Sequence, residues 1–258
     1  MKHKERKHSK FSASGASRWF NCPGSVELSE GLPDKSSPWA EEGTKAHEML
    51  ESILKAAIAG EPGVPRKLDS MYHHGQDAAD FICKIARREK AEILVETRIY
   101  LDFIHPEMFG TLDSAILDHF GTLHVFDYKY GAGHAVSPKE NLQMIFYGIG
   151  LAHKYDWNFK SVKLWIIQPR IKGYDGPVYW EVSIKDLKGY VEQFKLGVRR
   201  VADWPYQYVE GSWCHWCKAK SICPVKLKAK QEEFKGIFKK VTKNEIEKES
   251  EKTEEDFF

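Results

Sequence analysis

Asp127 and Lys129 stand two residues apart at the end of an alternating apolar run, Leu123-His124-Val125-Phe126-Asp127-Tyr128-Lys129, which breaks at once on Gly131 and Gly133. A strand has a side-chain period of two, so the carboxylate and the ammonium share one face. Burying both at a strand end is costly unless something pairs them or uses them. A second run, 109–118, carries Asp113 directly after Gly110-Thr111-Leu112. If the two runs pair as a hairpin, Asp113 comes near Asp127. Neighbouring carboxylates repel, and a divalent cation resolves the conflict. A hard, oxygen-rich site of this kind suits Mg2+ or Mn2+. A lysine beside it can orient or help deprotonate an attacking water, or stabilise charge developing on a phosphate. The plainer reading of an isolated D-x-K is an exposed ion pair.

The elements that must position these groups can be read from periodicity and breakers. A helix starts at Ser37-Pro38, an N-cap followed by proline at the first helical position, and carries Leu50, Ile53, Leu54 and Ala57 on one face. Pro62 and Pro65 mark a loop, and a second helix covers about 70–90. Three strands follow over 91–101, 109–118 and 122–129, separated by short turns that predict an antiparallel meander. A helix over 137–155, strands over 161–169 and 177–183, and a helix from Ile184 complete the pattern. The order helix, three strands, helix, strand predicts an α/β core with a mixed sheet.

Four motifs in that order resemble the RecB-like branch of the PD-(D/E)xK nuclease superfamily. They are Gly43-Thr44-Lys45-Ala46-His47, Gly110-Thr111-Leu112-Asp113, Asp127-Tyr128-Lys129 and Gln143-Met144-Ile145-Phe146-Tyr147. The resemblance implies a restriction-endonuclease-like core in which His47, Asp113, Asp127 and the main-chain carbonyl of Tyr128 ligate Mg2+ or Mn2+. It makes Lys129 the catalytic lysine and gives Gln143 and Tyr147 a supporting role. The second acidic position is Asp where many relatives carry Glu. Each residue also has an ordinary explanation. His47 flanks an apolar helix face, Gln143 and Tyr147 are packing partners four apart, and Glu41 and Glu42 suit a helix N-terminus. Glu96 in the first strand is a supporting carboxylate at most, and a solvated strand residue is the simpler reading.

A second constellation is sulfur-based. Cys214, Cys217 and Cys223 form a C-x2-C-x5-C array, and Cys22 lies far upstream. Four thiolates satisfy either a cubane cluster or a tetrahedral Zn2+. Zinc sites are usually built from two short pairs, so the one-plus-three spacing favours iron–sulfur. His215 lies inside the triplet as a loop residue, and Cys83 falls on an apolar helix face. The arrangement resembles the iron–sulfur subgroup of the same nucleases, including AddB-type subunits and CRISPR-associated RecB-like exonucleases. In that subgroup a 4Fe–4S cluster ties the N- and C-terminal segments together.

The chain has 258 residues, 42% hydrophobic, with a net charge of +2. That balance supports a sizeable core and requires any nucleic-acid partner to meet a local basic groove. No apolar run approaches the ~18 residues that span a bilayer, and the basic N-terminus lacks the apolar segment of a signal peptide, so a cytoplasmic location is expected. No phosphate loop of the G-x-x-x-x-G-K-[ST] type is present, which excludes a nucleotide-driven motor built on that motif. Residues 1–10 read as a disordered basic arm, 11–227 as the nuclease-like domain and 228–258 as a charged, disordered tail.

The resemblance implies a metal-dependent DNA nuclease working as an exonuclease, of a kind frequent as small stand-alone proteins on phages and plasmids. Single-stranded DNA is the favoured partner. Trp19, Phe20, Trp213 and Trp216 could stack on bases, and Lys218, Lys220, Lys226, Lys228 and Lys230 could contact phosphates. The competing reading is a non-catalytic nucleic-acid-binding module, or an accessory subunit, with a structural zinc or iron–sulfur site. The closing Asp256-Phe257-Phe258 resembles the acidic, phenylalanine-terminated tips of bacterial single-strand DNA-binding proteins. It is expected to recruit a replication or recombination partner or to fold over the basic groove, the alternative being a solubilising tail.

Overall fold

The computed structural model describes residues 9–33, 37–61 and 69–237. Two short helices, α1 (Ala16–Asn21) and α2 (Gly24–Leu28), precede the long pair α3 (Pro38–Ala59) and α4 (Ser70–Glu89). The Ser37 side chain caps α3 by accepting from the Ala40 N–H at 3.2 Å, and Gly60 closes the helix at φ 66°. Asp69 caps α4 in the same way through Tyr72 N–H at 2.8 Å. Five strands follow: β1 (Glu92–Tyr100), β2 (Phe109–Leu117), β3 (Thr122–Tyr128), β4 (Ser161–Ile167) and β5 (Val178–Ser183). They form one sheet in the order β1-β2-β3-β4-β5.

All neighbours are antiparallel except β3 and β4, which run parallel from Thr122↔Ser161 to Tyr128↔Ile167. A parallel neighbour needs a crossover, and α5 (Leu142–Lys154) supplies it. α5 lies hard against the sheet. A Cβ at Gly150 would sit 2.1 Å from the Ile99 side chain, so only glycine fits that contact. α6 (Ile184–Ala202) follows β5 directly, capped by Ser183 accepting from Asp186 N–H at 3.1 Å.

The sheet separates two apolar layers. α3 and α4 cover one face through Leu50, Ile53, Leu54, Ile82 and Ile85, which pack with Ile116, Phe126 and Tyr128. α1, α5 and α6 cover the other, against Leu112, Ala115, Val125 and Leu164. Strict alternation would keep each strand's odd positions on one face throughout. In β1, however, Ile93 and Val95 pack toward α3 and α4, whereas Ile99 joins the opposite layer. β2 does the same, with Ile116 on one side and Leu112 on the other. Both strands turn over at the step where Glu96 faces Asp113, between the pairs Val95↔Ser114 and Thr97↔Leu112. Glu96 adopts φ 43° there, a conformation uncommon for a non-glycine residue.

The segment around Phe20–Gly24 meets residues 200–209 on the α6 side. Trp19 is fully buried between Phe11 and Phe194, with its Nε1 donating to the Ser12 carbonyl at 3.0 Å. Gly24 N–H donates to Gln207 O at 2.9 Å, and Arg200 donates to Phe20 O at 2.7 Å, joining the N-terminal segment to residues 200–209. Ser9 and Lys10, assigned from sequence to a disordered arm, are anchored to Glu107 O and to Glu27. The tail boundary expected at 228 falls inside a solvent-exposed helix, α7, over residues 224–237. Residues 1–8, the loop with Pro62 and Pro65, and the terminal Asp256-Phe257-Phe258 lie outside the described residues. No described helix is long and apolar enough to cross a membrane.

Candidate active site

Asp127 sits one residue before the end of β3 and is 2% exposed. Its Oδ1 accepts from Lys129 Nζ at 3.1 Å and from Gln143 Nε2 at 2.9 Å. Its Oδ2 lies 2.8 Å from the same ammonium, although outside hydrogen-bonding alignment. Lys129 also donates to Gln143 Oε1 at 3.0 Å, so the amide bridges the pair. Gln143 is held in turn by the first turn of α5, where Asn141 Oδ1 accepts from the N–H groups of Gln143 and Met144. One turn on, Tyr147 donates its buried hydroxyl to Thr111 O at 2.7 Å, fixing β2 two residues before Asp113. Burial pushes the Asp127 carboxyl up against the pull of Lys129. Burial acts to lower Lys129, but the charge and hydrogen bond of Asp127 outweigh it and hold the ammonium protonated.

Across the hairpin, Asp113 Oδ2 accepts from Tyr128 N–H at 2.7 Å. Its Oδ1 is 3.1 Å from His47 Nδ1, presented by α3. The turnover of β1 and β2 brings Glu96 to the same point. His47, Glu96 and Asp113 each offer a ligand atom, all within 4.8 Å of one another. Burial first, then Asp113 and Glu51, push the Glu96 carboxyl up to about 7. Burial acts against the charged form of His47, and the bond and charge of Asp113 outweigh it, so its pKa is raised. One imidazole and two hard carboxylates converging this closely fit a small divalent cation.

Glu96, read from sequence as a solvated or supporting residue, lies within reach of His47 and Asp113, at the step where the backbone adopts φ 43°. Asp127 lies beside the triad, with its carboxylate committed to Lys129 and Gln143.

An open cleft of about 1000 Å3 lies at the end of β1 and the start of β2, lined by Arg18, Arg98, His134, His215, Trp216 and Lys218 among others and by none of the triad. Arg98 stands two residues from Glu96, with its guanidinium 4.3 Å above the Phe109 ring. The aromatic residues expected to stack on bases divide sharply. Trp19 is core, and Phe20 packs against Trp19 and Phe194. Trp213 is half-buried, donating to Val209 O, whereas Trp216 is 77% exposed at the cleft. Of the expected phosphate-contacting lysines, Lys218 lines the cleft and Lys226 is paired with Glu210.

Cys22, Cys214, Cys217 and Cys223 line a common small pocket with Arg18, Tyr208 and Trp213. Their sulfurs are unpaired by disulfides, and no three of them lie within 4.8 Å of one another. Buried Cys22 accepts from Val209 N–H at 3.3 Å, and burial pushes its thiol up. Cys83 packs at the edge of the α3–α4 cluster, away from the other four.

Solved structures that resemble the chain include the following, all distant. SSO0001 is 15% identical over 87% of this chain and 89% of its own, with a TM-score of 0.38. A candidate exonuclease from Eubacterium rectale is 9% identical over 78% and 86%, with a TM-score of 0.44. The alkaline exonuclease LHK-Exo of Laribacter hongkongensis, in complex with dAMP, is 8% identical over 74% and 87%, with a TM-score of 0.35. At these scores the functional reading rests on the site itself. A far more extensive match, over residues 8–255, is to the family described as "Protein of unknown function (DUF2800)", and the chain belongs to that family.

Proposed function

We propose that the protein is a divalent-metal-dependent nuclease that hydrolyses phosphodiester bonds in DNA, favouring single strands and working from strand ends. The observation that carries this reading is the convergence of His47, Glu96 and Asp113 within 4.8 Å, beside the buried Asp127–Lys129–Gln143 bridge. His47, Glu96 and Asp113 would hold Mg2+ or Mn2+, with Asp127 and the Tyr128 carbonyl completing the set on the strength of the motif resemblance. The bound ion would supply Lewis acidity and a lowered pKa for water.

The remaining chemistry belongs to the chain's own groups. Lys129 has three N–H donors, of which Asp127 and Gln143 take two. The third can reach a phosphate oxygen or the attacking water. Because Asp127 keeps Lys129 charged, the lysine serves better as a charge-stabilising donor than as a general base. Gln143 prevents the ammonium from swinging away, and Tyr147 keeps β2, and with it Asp113, at a fixed height. In the adjoining cleft, Arg18, Arg98 and Lys218 provide charge for a phosphate backbone, and exposed Trp216 provides a stacking surface for bases.

We further propose that the four cysteines hold a 4Fe–4S cluster, with Zn2+ as the alternative. Their common pocket supports a shared ligand. Tetrahedral zinc with bonds of about 2.3 Å would need sulfurs closer than about 4 Å, a tighter set than the one observed.

The test incubates chelator-stripped protein with Mn2+ and end-labelled single- and double-stranded oligonucleotides. Metal-dependent shortening, faster on the single strand, supports the reading. Intact DNA after prolonged incubation with folded protein and either metal would refute it.

A further inference from the structure

On the sheet face covered by α3 and α4, the last two strands carry aromatic residues that the helices do not fully cover. Phe81 of α4, Trp165 of β4 and Tyr179 of β5 make a continuous aromatic cluster, Phe81 edge-on to Trp165 at 67° and Tyr179 tilted against it at 36°. The Phe81 and Trp165 centroids are 5.2 Å apart, and those of Trp165 and Tyr179 are 4.4 Å apart. The floor is rigid, because buried His124 lies parallel to Trp165 and accepts from its Nε1 at 3.2 Å. Tyr179, by contrast, is 50% exposed. These residues line a pocket of about 300 Å3 whose rim carries Lys84, Arg88 and Lys163, with no acidic side chain in the lining. Two of the three cations have a carboxylate neighbour that is not in the lining, one distant and one hydrogen-bonded. Lys163 is 4.0 Å from Glu181, and Arg88 pairs with Glu89 at 2.6 Å. Lys84 makes no ion pair among the described residues.

We infer that this pocket binds one nucleotide unit, its base stacked on the exposed ring of Tyr179 at the edge of the aromatic cluster and its phosphate held by Lys84, Lys163 and Arg88. The half-exposed ring of Tyr179, tilted 36° to Trp165, offers a π face to any base, whereas ammonium and guanidinium groups select an anion. The volume lies at the lower end of small-ligand sites, roughly 300 Å3 upward, and so suits a single unit. The site is distinct from the metal centre: His124 precedes Asp127 by three residues of β3, or about 10 Å along the strand. Its occupancy would be the same in a protein that hydrolysed nothing. The unit could come from a free mononucleotide or from a strand of nucleic acid.

Equilibrium dialysis with labelled adenosine 5′-monophosphate, in chelator, tests the inference. The expected result is saturable binding with a dissociation constant below about 1 mM. It should weaken at least ten-fold in the Lys84→Glu/Lys163→Glu double variant and several-fold in Tyr179→Ala, and it should be unchanged in Asp113→Asn. Lys84, Lys163 and Tyr179 reach the surface, and circular dichroism confirms that each variant, Asp113→Asn included, is folded. Binding lost in Asp113→Asn but retained in the double variant would place the nucleotide at the metal centre and overturn the inference. No saturable binding, or equal displacement by inorganic phosphate, would overturn it too. A twelve-residue oligothymidylate that displaces the nucleotide supports the site with a strand as its source. Failure of the oligonucleotide to displace it supports the site with a free nucleotide as its source.

Discussion

The candidate metal site and the cysteine pocket are built on opposite plans. The first draws His47, Glu96, Asp113, Asp127 and Gln143 from five elements packed about one sheet, and hydrogen bonds cross-brace it at Tyr128 N–H, Gln143 and Tyr147. The second gathers Cys22 from the N-terminal segment and the other three from a short 3-10 turn, Ser212–Trp216, and the residues after it. Its sulfurs surround a pocket without converging. The candidate metal site is thus preorganised by the core, whereas the cluster proposed for the cysteine pocket would have to draw its sulfurs together. The two plans predict different consequences of damage.

The largest effect is expected at the buried ion pair. Lys129→Ala leaves Asp127 buried beside the other carboxylates, a loss of about 3–5 kcal/mol in stability. Cleavage should fall by ~10³-fold or more, because both the charge and the bridge to Gln143 disappear. Chemical denaturation and an oligonucleotide time course measure the two together. Unchanged stability would show that the fold does not brace the site in this way.

Cys22→Ser should act in the opposite sense. The core melts near its normal temperature, while the N-terminal segment and residues 203–223 become sensitive to brief proteolysis. Anaerobically prepared wild-type protein should be brown and contain iron, and the variant should be colourless. A colourless wild type with one zinc per chain would assign the pocket to zinc.

A smaller effect is expected at Glu96. Glycine adopts φ 43° without the penalty of about 1 kcal/mol that a side chain incurs. Glu96→Gly should therefore keep or slightly raise the melting temperature while weakening Mn2+ binding, as read by titration calorimetry. The pH dependence follows from the same carboxyl. Its folded pKa is raised from 4.5 to about 7, so the folded state binds the extra proton between those values. That contribution to stability is fully present below about 4.5 and is lost as the pH rises through 7. In chelator, wild-type protein should lose more stability than Glu96→Gln between pH 5 and 7.5, and Mn2+ should remove the difference. The smallest effect concerns the cleft. Trp216→Ala should weaken single-strand binding by about 1 kcal/mol or somewhat more, with no change in melting temperature.

Some of this was legible in the residues alone. Asp127 and Lys129 share a face because two-residue alternation is a backbone property, and the breaks at Gly131 and Gly133 mark the strand's end. The cap at Ser37 and the crossover helix follow from local chemistry in the same way. Glu96 was hidden because its direction depends on an inversion of β1 that no periodicity encodes. Trp19 was hidden for a related reason. Whether an aromatic residue stacks on a ligand or fills a core depends on what α6 brings against it, here Phe194 and Gly197. Over 228–237, Lys, Gln and Glu are poor core formers yet good helix formers, and the chain is helical there.

The most direct test of the metal-centre account is Asp113→Asn. The amide oxygen can still accept from Tyr128 N–H, so the fold should melt as the wild type does. Mn2+ binding and the degradation of end-labelled single-stranded DNA should both be lost, the latter by ~10³-fold. A folded Asp113→Asn protein that binds Mn2+ and degrades DNA at the wild-type rate would contradict the account.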